Sequence, residues 1–378
     1  MNTMQKIVII GPVYPYKGGI AHYTGLMYRA LAEEHDVTMI SYKLQYPKFL
    51  YKKEQKDFSN DTFKIENTNF LIHTANPFNW IHSANEIKKL KPDLIIIQWW
   101  HPYFSPCYWM LCKLLKNFKK LFVCHNVFPH ERFPMDRFLT KCILSNGDYF
   151  TVQSKQDEAD LKSMKPNAIY KRTVLPTFNG FKYKDLSKPE SRQLLDINET
   201  EKVLLFFGFV REYKGLKHLL NALPQVIAKL DHVKLLVVGD FDGDKEHYTT
   251  LIHDLNIDSY VEIHDGYIPD LEVEKFFAAS DLVVLPYESA TQSGIIQIAY
   301  DFEKPVIVTN VGGLPEVVLD NQTGYVVEAK NSAALASAII RFFEENKAAD
   351  FKTAIQNEAE RYSWKRMTEI IDSFQNKS

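Results

Sequence analysis

Short apolar runs alternate with longer segments of helical spacing along almost the whole of this 378-residue chain. A run of four to six apolar residues suits a strand buried on both faces, and a helix after each strand returns the chain for a parallel partner. The rhythm therefore predicts βα repetition and a parallel sheet. In the first half, the predicted strands cover residues 6–10, 37–41, 93–97, 121–124 and 149–152.

The same rhythm restarts in the second half after an interruption. The predicted strands there cover residues 203–207, 233–238, 260–263, 282–285, 306–309 and 325–327. Residues 176–200 carry Pro176, Gly180 and Pro189 without a clear apolar period, so we interpret them as a linker. The length also suits two domains. The expected fold class is α/β, with two Rossmann-like domains.

The composition excludes several classes of protein. Apolar residues make up 46% of the chain and charged residues 24%, which excludes disordered, collagenous and disulfide-scaffold proteins. The four cysteines form no C-x-x-C pair, and none has a histidine at zinc-finger spacing, so we expect a reducing compartment. No hydrophobic signal core precedes the first predicted strand, and no apolar run approaches the roughly 18 residues of a membrane span. We therefore expect a cytoplasmic protein.

The charge is divided unevenly between the two halves. Residues 1–190 hold 27 lysines and arginines against 17 aspartates and glutamates, a net charge of +10, and the remainder carries −12. A basic half indicates an anionic partner, either nucleic acid or an anionic membrane. Tyrosines and lysines interleave over 42–56, and segment 108–120 is apolar with a cationic edge. That segment suits a membrane interface and equally a core helix whose lysines reach water. No nucleic-acid-binding motif accompanies the charge.

Three strand-to-helix loops have the residues to bind an anion. Gly18 and Gly19 follow the first strand, Arg211 and Lys214 follow the strand 203–207, and the loop 286–294 ends in hydroxyls and a glycine. Neither the dinucleotide fingerprint nor the P-loop pattern is present. Each loop alone equally suits an ordinary turn, a solvated loop or a helix N-cap. Because ligands bind at the carboxyl ends of parallel strands, the three together predict a diphosphate held between two domains.

Two loops of the first half add candidate chemistry. Trp99, Trp100 and His101 follow the strand 93–97, and the tryptophans suit either stacking on a sugar or burial under a loop. His125 and Asn126 follow the strand 121–124, where the histidine is either a site residue or a core residue.

The acidic run 240–244 imitates a metal-binding motif. A calcium loop requires a glutamate at its twelfth position, where this chain has Leu251. We therefore interpret the run as a polar turn.

Taken together, these motifs resemble those of the family-four retaining glycosyltransferases, the glycosyl transferases group 1, which have the GT-B fold. Gly18–Gly19, His125, the stretch 208–215 and the stretch 311–316 (Val-Gly-Gly-Leu-Pro-Glu) stand in the family's order, and the resemblance covers nearly the whole chain. It implies two Rossmann-like domains facing across a cleft. The expected domains are an acceptor-binding domain at 1–180, a nucleotide-sugar-binding domain at 195–360 and a C-terminal helix at 361–378 that packs on the first domain.

The resemblance also implies an activity. A sugar, expected to be a hexose, would pass from a nucleotide-diphosphate donor to a hydroxyl of a glycan or lipid-linked acceptor, with retention of configuration, no metal and no cofactor. Surface polysaccharide synthesis is the expected setting. The protein is expected in the cytoplasm, with a peripheral position on the inner face of the plasma membrane as the finer expectation. A catalytically silent nucleotide-sugar-binding subunit and a non-hydrolysing sugar-nucleotide epimerase remain alternatives.

One family signature is broken. The family commonly has two glutamates with seven residues between them; starting from Glu288, the second would fall at Ile296. Gln297 lies close to the place of the ribose-binding glutamate. We assign three residues to catalysis: His125, Arg211 and Lys214. The expected donor-binding residues are Gly18, Gly19, Gly208, Tyr267, Ile268, Thr291, Gln292, Ser293, Gly294, Ile295 and Gln297. The expected acceptor-binding residues are Tyr16, Trp99, Trp100, His101 and Asn126.

Overall fold

A computed structural model describes residues 4–129 and 135–374 of the chain. The last four residues of the expected C-terminal helix 361–378 therefore lie outside the described part. The chain divides into two compact units. The first comprises Met1–Val174 with Ser363–Ser378, and the second comprises Leu175–Tyr362.

The first unit contains a parallel sheet of seven strands in the order β3-β2-β1-β4-β5-β6-β7. Strands β1, β4 and β5 are almost wholly buried, as expected for a parallel sheet with helices on both faces. The elements are β1 Lys6–Ile10, α1 Gly19–Ala32, β2 Asp36–Leu44, β3 Asn69–His73, α2 Pro77–Leu90, β4 Leu94–Trp99, α3 Ser105–Leu114, β5 Lys119–Cys124, α4 Asp136–Leu144, β6 Tyr149–Val152, α5 Lys155–Met164 and β7 Ile169–Arg172.

The second unit repeats this architecture with a parallel sheet of six strands in the order β10-β9-β8-β11-β12-β13. Its elements are α6 Lys188–Leu194, β8 Lys202–Phe207, α7 Leu216–Ile227, β9 Val233–Gly239, α8 Lys245–Asp254, β10 Val261–Asp265, α9 Asp270–Ala279, β11 Leu282–Leu285, α10 Gly294–Asp301, β12 Val306–Thr309, α11 Leu314–Val317, β13 Gly324–Val327, α12 Ser332–Glu344 and α13 Ala348–Asn357. The expected fold class, α/β with two Rossmann-like domains, is confirmed.

Residues 181–194, which the sequence assigns to neither domain, are folded into the second unit. The buried carboxylate of Glu274 accepts hydrogen bonds from the backbone N–H groups of Tyr183, Lys184 and Leu186, at 2.8 to 2.9 Å. The buried Arg192 on α6 donates to the Asp281 carboxylate at 2.9 Å. These charge-assisted bonds fix the segment against α9 and the start of β11.

The C-terminal helix α14, Trp364–Asp372, belongs to the first unit. The centroids of the Trp364 ring and of the Tyr23 ring on α1 are 5.0 Å apart, and Asp372 Oδ1 lies 3.0 Å from His35 Nε2. The expected return of the C-terminal helix to the first domain is thus confirmed. None of the helices in the described ranges combines the length and the apolarity needed to cross a bilayer.

Candidate active site

The order of strands in the second unit reverses between β8 and β11. Strands β9 and β10 lie on one side of this pair, and β12 and β13 lie on the other. In open parallel sheets, such a reversal leaves a crevice at the carboxyl ends of the two central strands, where ligands bind. The loops that follow β8 and β11 are two of the three anion-binding loops expected from the sequence.

Backbone contacts join these two loops. The N–H of Glu288 donates to the Tyr213 carbonyl oxygen at 2.7 Å. Gly215 has a φ of 69°, in the left-handed region, and a Cβ at this position would overlap the Pro286 carbonyl oxygen. Glycine is therefore required here both by the backbone conformation and by the close approach of the second loop.

Lys214 crosses from the first loop to the second. Its Nζ lies 3.8 Å from the centroid of the Tyr287 ring and 5.4 Å from that of Tyr213. The Tyr287 side chain is fully buried, so its ring is held in place by packing. This cation–π contact orients the ammonium group of Lys214 at the reversal point.

Arg211 lies at the exposed side of the same loop. Its guanidinium pairs with the carboxylate of Asp242 in the turn after β9. The acidic run 240–244, interpreted from the sequence as a polar turn, thus supplies a partner for one of the expected catalytic residues.

The loop between β12 and α11 supports the N-terminus of α10. Gly312 has a φ of 50°, and a Cβ there would overlap the Ala290 carbonyl oxygen, while the Gly313 N–H donates to the Thr291 carbonyl at 3.0 Å. The N-cap residue Ser293 makes no side-chain capping hydrogen bond to α10, and its Oγ lies 3.4 Å from the Tyr287 hydroxyl. The helix start therefore retains amide donors and a favourable dipole for an anion.

Other expected donor residues surround this helix start or lie farther along the sheet. Thr291 is buried, Gln292 is half-buried, and Gly294 and Ile295 begin α10. Gly208 has a φ of 112°, and a Cβ there would lie 3.7 Å from Ile295 Cδ1. Tyr267 and Ile268 follow the edge strand β10, with Tyr267 exposed and Ile268 half-buried.

Gln297, on the second turn of α10, is fully buried. Within the described ranges, neither its amide nitrogen nor its amide oxygen has a hydrogen-bond partner. A buried amide without partners is costly, typically by about 1 to 3 kcal/mol per group, so this side chain has unused capacity for a polar ligand.

In the first unit, the loop after β1 ends at Gly18, which has a φ of 102° and is the N-cap of α1. A Cβ on Gly18 or Gly19 would meet no atom of the described chain within 4 Å. The backbone at this helix start is therefore open to approach, as the sequence predicts.

His125 follows β5 and is buried. Its Nε2 donates to Gln98 Oε1 at 2.7 Å, and its ring makes an edge contact with that of Tyr23, with centroids 4.7 Å apart. Burial lowers the pKa of His125 to about 3. The imidazole is therefore neutral near pH 7, and it can donate or accept hydrogen bonds but supplies no charge.

The aromatic residues expected to bind an acceptor are mostly engaged in the core. Trp99 is the last residue of β4 and has no exposed surface, and its Nε1 donates to the Val127 carbonyl at 3.3 Å. Tyr16 is buried, with its hydroxyl donating to the Tyr42 carbonyl at 2.9 Å. These two residues cannot stack on a sugar in this structure, and their proposed role is corrected to core packing.

Trp100, His101 and Asn126 are half-buried. Trp100 Nε1 donates to the Tyr46 hydroxyl at 3.0 Å, and His101 Nδ1 accepts from the Tyr103 N–H at 3.1 Å. All three residues thus retain accessible surface for a ligand. In addition, the His101 side chain caps a short turn.

Among the described residues, Glu34, His35 and Asp372 have oxygen and nitrogen atoms close enough together for a metal ion, all within 4.8 Å of one another. However, His35 Nδ1 accepts the Gln5 N–H at 3.4 Å, which leaves the proton on Nε2, the atom that faces Asp372. This arrangement suits a hydrogen bond that holds α14 against the turn after α1.

The comparisons with known proteins agree with this architecture. The structure of sucrose-phosphate synthase from Thermosynechococcus elongatus is similar with a TM-score of 0.75, at 21% identity, covering 99% of this chain and all of that one. HepE from Anabaena in complex with UDP and glucose gives a TM-score of 0.77 at 17% identity, covering 99% of this chain and all of that one. The fold is therefore GT-B.

Residues 201–345 match the family model described as glycosyl transferases group 1. This match lies within the second unit, and the resemblance to glycosyl transferases group 1 expected from the motifs is confirmed. A D-inositol 3-phosphate glycosyltransferase of Corynebacterium diphtheriae is 24% identical over 63% of this chain and 58% of its own length. The lipopolysaccharide 1,2-N-acetylglucosaminetransferase of Salmonella typhimurium is 29% identical over 51% and 54%. The chain spans about half the length of the curated relatives it matches.

Proposed function

We propose that this protein is a retaining glycosyltransferase that moves a sugar from a nucleotide-diphosphate donor to a hydroxyl of a glycan or lipid-linked acceptor. The observation that carries the proposal is the reversal point of the second sheet. There, Lys214 and the start of α10 supply a cation and amide donors on adjoining loops, with Arg211 on the first of them. Solved structures of similar fold include complexes described as containing UDP or UDP-glucose, which supports a nucleotide-sugar donor.

The chemistry requires stabilisation of negative charge on the departing diphosphate. As the bond between the anomeric carbon and the diphosphate oxygen breaks, the acceptor oxygen bonds to that carbon from the same face and gives its proton to the leaving phosphate. Preorganised cations and amides aimed at the leaving group lower the barrier for this step. We assign this role to Arg211, Lys214 and the amides near Ser293 and Gly294.

We assign no protein side chain as general base. Two lysine ammonium groups, of Lys217 and Lys330, and the His218 imidazole surround the Glu288 carboxylate, which makes it a poor proton acceptor and a poor nucleophile. His125 stays neutral and is proposed to hold the donor sugar through a hydrogen bond, and Gln297 is proposed to contact the ribose. No metal or cofactor is proposed, because Arg211 and Lys214 already supply positive charge to the diphosphate.

The relatives suggest the setting of the reaction. They include a lipopolysaccharide glycosyltransferase and a protein described as lying in the cps region of Klebsiella pneumoniae. These names support surface polysaccharide synthesis and a glycan or lipid-linked acceptor.

We further propose that the first unit associates with an anionic membrane. In the loop after β2, Phe49, Leu50 and Tyr51 are 78%, 48% and 38% exposed, beside exposed lysines at 48 and 52. On α3, Trp109 is 40% exposed, and Lys113 Nζ lies 5.8 Å from its ring centroid. Exposed aromatic and apolar side chains beside lysines suit the interface of an anionic bilayer.

Not all of the segment 108–120 takes part in this surface. Lys113, Lys116 and Lys119 are exposed, but Lys120 is buried, donates to the Phe118 carbonyl and pairs with Asp148 at 3.3 Å. The segment also changes from α3 to β5 within its length, so it is not a single amphipathic helix.

A product assay tests the proposed function. The purified protein is incubated with UDP-, GDP- and dTDP-sugars and lipid-linked or glycan acceptors, with and without EDTA, and products are identified by mass spectrometry. We expect a glycosylated acceptor that still forms in EDTA. Donor binding with neither transfer nor slow donor hydrolysis would favour the silent subunit. Chemical alteration of the donor when no acceptor is present would favour the epimerase. Loss of transfer in EDTA, restored by magnesium or manganese, would contradict metal independence.

A further inference from the structure

Glu288 is the meeting point of three strand-to-helix connections in the second unit. Its Oε1 lies 3.0 Å from Lys217 Nζ and 2.9 Å from His218 Nε2, both near the start of α7. Its Oε2 lies 2.9 Å from Lys330 Nζ, in the turn between β13 and α12. The side chain is 14% exposed, so these contacts are only partly screened by water.

The main chain of the same residue adds a fourth contact. The Glu288 N–H donates to the Tyr213 carbonyl, so main chain and side chain both hold the stretch 213–218. Lys214 lies within this stretch, and its cation–π partner Tyr287 directly precedes Glu288. The geometry that aims Lys214 therefore depends on how firmly the two loops are held together.

Burial favours the neutral acid, but hydrogen bonds from Lys330, His218 and Lys217 outweigh burial and lower the pKa of Glu288 to about 2. The carboxylate is thus ionised throughout the physiological range. With both of its oxygens already engaged by cations, it is poorly placed to accept the hydroxyls of a sugar.

We infer that Glu288 is a positioning residue, which holds the loops after β8 and β11 in register so that Lys214 and the start of α10 bind one diphosphate. The identity of the ligand in this inference rests on the proposed function, whereas the contacts of Glu288 do not depend on it. The inference assigns a role to the glutamate that remains where the family's two-glutamate pattern is broken.

The sign of the effect separates positioning from simple electrostatics. Removing a negative charge close to an anion site strengthens anion binding if the charge acts only through its field. Loss of a positioning contact weakens binding instead. We therefore expect Glu288→Gln to weaken nucleotide binding, by roughly tenfold or more, comparable with the loss of one charge-assisted hydrogen bond.

The experiment measures the affinities of UDP, GDP, UDP-glucose and GDP-mannose by calorimetry for the wild type, Glu288→Gln and Glu288→Asp. The control is Glu344→Gln, which removes the same charge from the exposed end of α12. We expect parallel losses for a nucleoside diphosphate and its sugar nucleotide in Glu288→Gln, a smaller loss in Glu288→Asp, and no change in the control. Unchanged or tighter binding in Glu288→Gln overturns the inference. So does a loss confined to the sugar nucleotide, because that result places Glu288 on the sugar.

Hydrogen exchange without any nucleotide provides a second readout. Glu288→Gln should speed amide exchange in segments 211–218 and 286–294 while the melting temperature stays close to that of the wild type. If Glu288→Gln does not fold, Lys330→Met releases one cation from an exposed position and should give smaller changes of the same kind. If the wild type binds no nucleotide, the proposed function fails, and exchange alone decides the inference: unchanged exchange in both segments overturns it.

Discussion

The ammonium group of Lys214 lies 3.8 Å from the centre of the buried Tyr287 ring. The two residues are 73 positions apart in the chain, but β8 and β11 are neighbours in the sheet, so the loops that follow them meet. An unpaired lysine on a flexible loop samples many directions, whereas a ring fixed by packing restricts it to a few. The contact therefore preorganises one positive charge at the carboxyl end of the sheet.

We predict that a leucine at position 287 weakens nucleotide binding and a phenylalanine largely preserves it. Tyr287→Phe keeps the aromatic face under Lys214, whereas Tyr287→Leu removes a cation–π contact of about 0.5 to 2 kcal/mol. Calorimetric titration with UDP and GDP measures the affinity, and thermal unfolding of each variant checks the cost of altering a buried side chain. Equal affinities for the two variants, at equal thermal stability, would show that the ring does not aim Lys214.

Arg211 and Lys214 are predicted to be the main charged contacts of the diphosphate. Losing either should reduce nucleotide affinity by about 1.5 to 3 kcal/mol, the range for a hydrogen bond to a charged group. The variants are Arg211→Ala and Lys214→Ala, with Lys229→Ala as a control at an exposed position just beyond α7. Affinities that match those of the control would remove both residues from the site.

We predict that the free energy of unfolding depends on pH because His125 is buried. Its pKa is lowered from an ordinary value of 6.5 to about 3, so below pH 6.5 the unfolded chain takes up a proton that the folded chain does not. This contribution to stability is fully present above pH 6.5 and is lost as pH falls toward 3, by at most about 1.4 kcal/mol per pH unit.

The test compares urea unfolding of the wild type and of His125→Gln between pH 7 and pH 4.5. We expect the difference in unfolding free energy between them to shrink as pH falls, because the variant lacks the titrating group. A difference that stays constant over this range would mean that the histidine is accessible to protons in the folded state.

Much of the fold can be predicted from the sequence because the central strands are buried on both faces and form continuous apolar runs. Strands β3 and β7 are not predicted, since they lie at the two edges of the first sheet and keep exposed, partly polar residues. Strand β4 extends to Trp99, two residues beyond the predicted end, and this places Trp99 in the core instead of in a loop.

Glycines and cations that follow strands indicate the loops of the proposed site, but the contacts between these loops cannot be predicted from the sequence. Glu288 and Lys330 are 42 residues apart, and Arg211 and Asp242 are 31 apart. These pairs form because the sheet brings their loops to one edge. The distance between two residues along the sequence does not reveal which loops are neighbours until the order of the strands in the sheet is known.

The membrane proposal predicts binding to anionic vesicles that weakens as salt rises, because lysines near an anionic surface contribute about 1 kcal/mol each and are screened over about 10 Å at 0.1 M salt. Charge reversal of Lys113, Lys116 and Lys119 should release the protein from phosphatidylserine vesicles and leave nucleotide affinity intact. Reversal of the exposed Lys88, Lys89 and Lys91 is the matched control. Sedimentation that is equal for neutral and anionic vesicles, or equal release by both triple variants, would argue for an ordinary solvated surface.

The reversal point of the second sheet is proposed to bind the diphosphate of a nucleotide. This binding is measured by calorimetry with UDP, GDP, ADP and dTDP, each beside its monophosphate. We expect at least one diphosphate to bind roughly tenfold more tightly than its monophosphate, and Lys214→Ala to remove most of that difference. Equal affinity for a diphosphate and its monophosphate, or a difference that Lys214→Ala leaves intact, would mean that this crevice is not the diphosphate site.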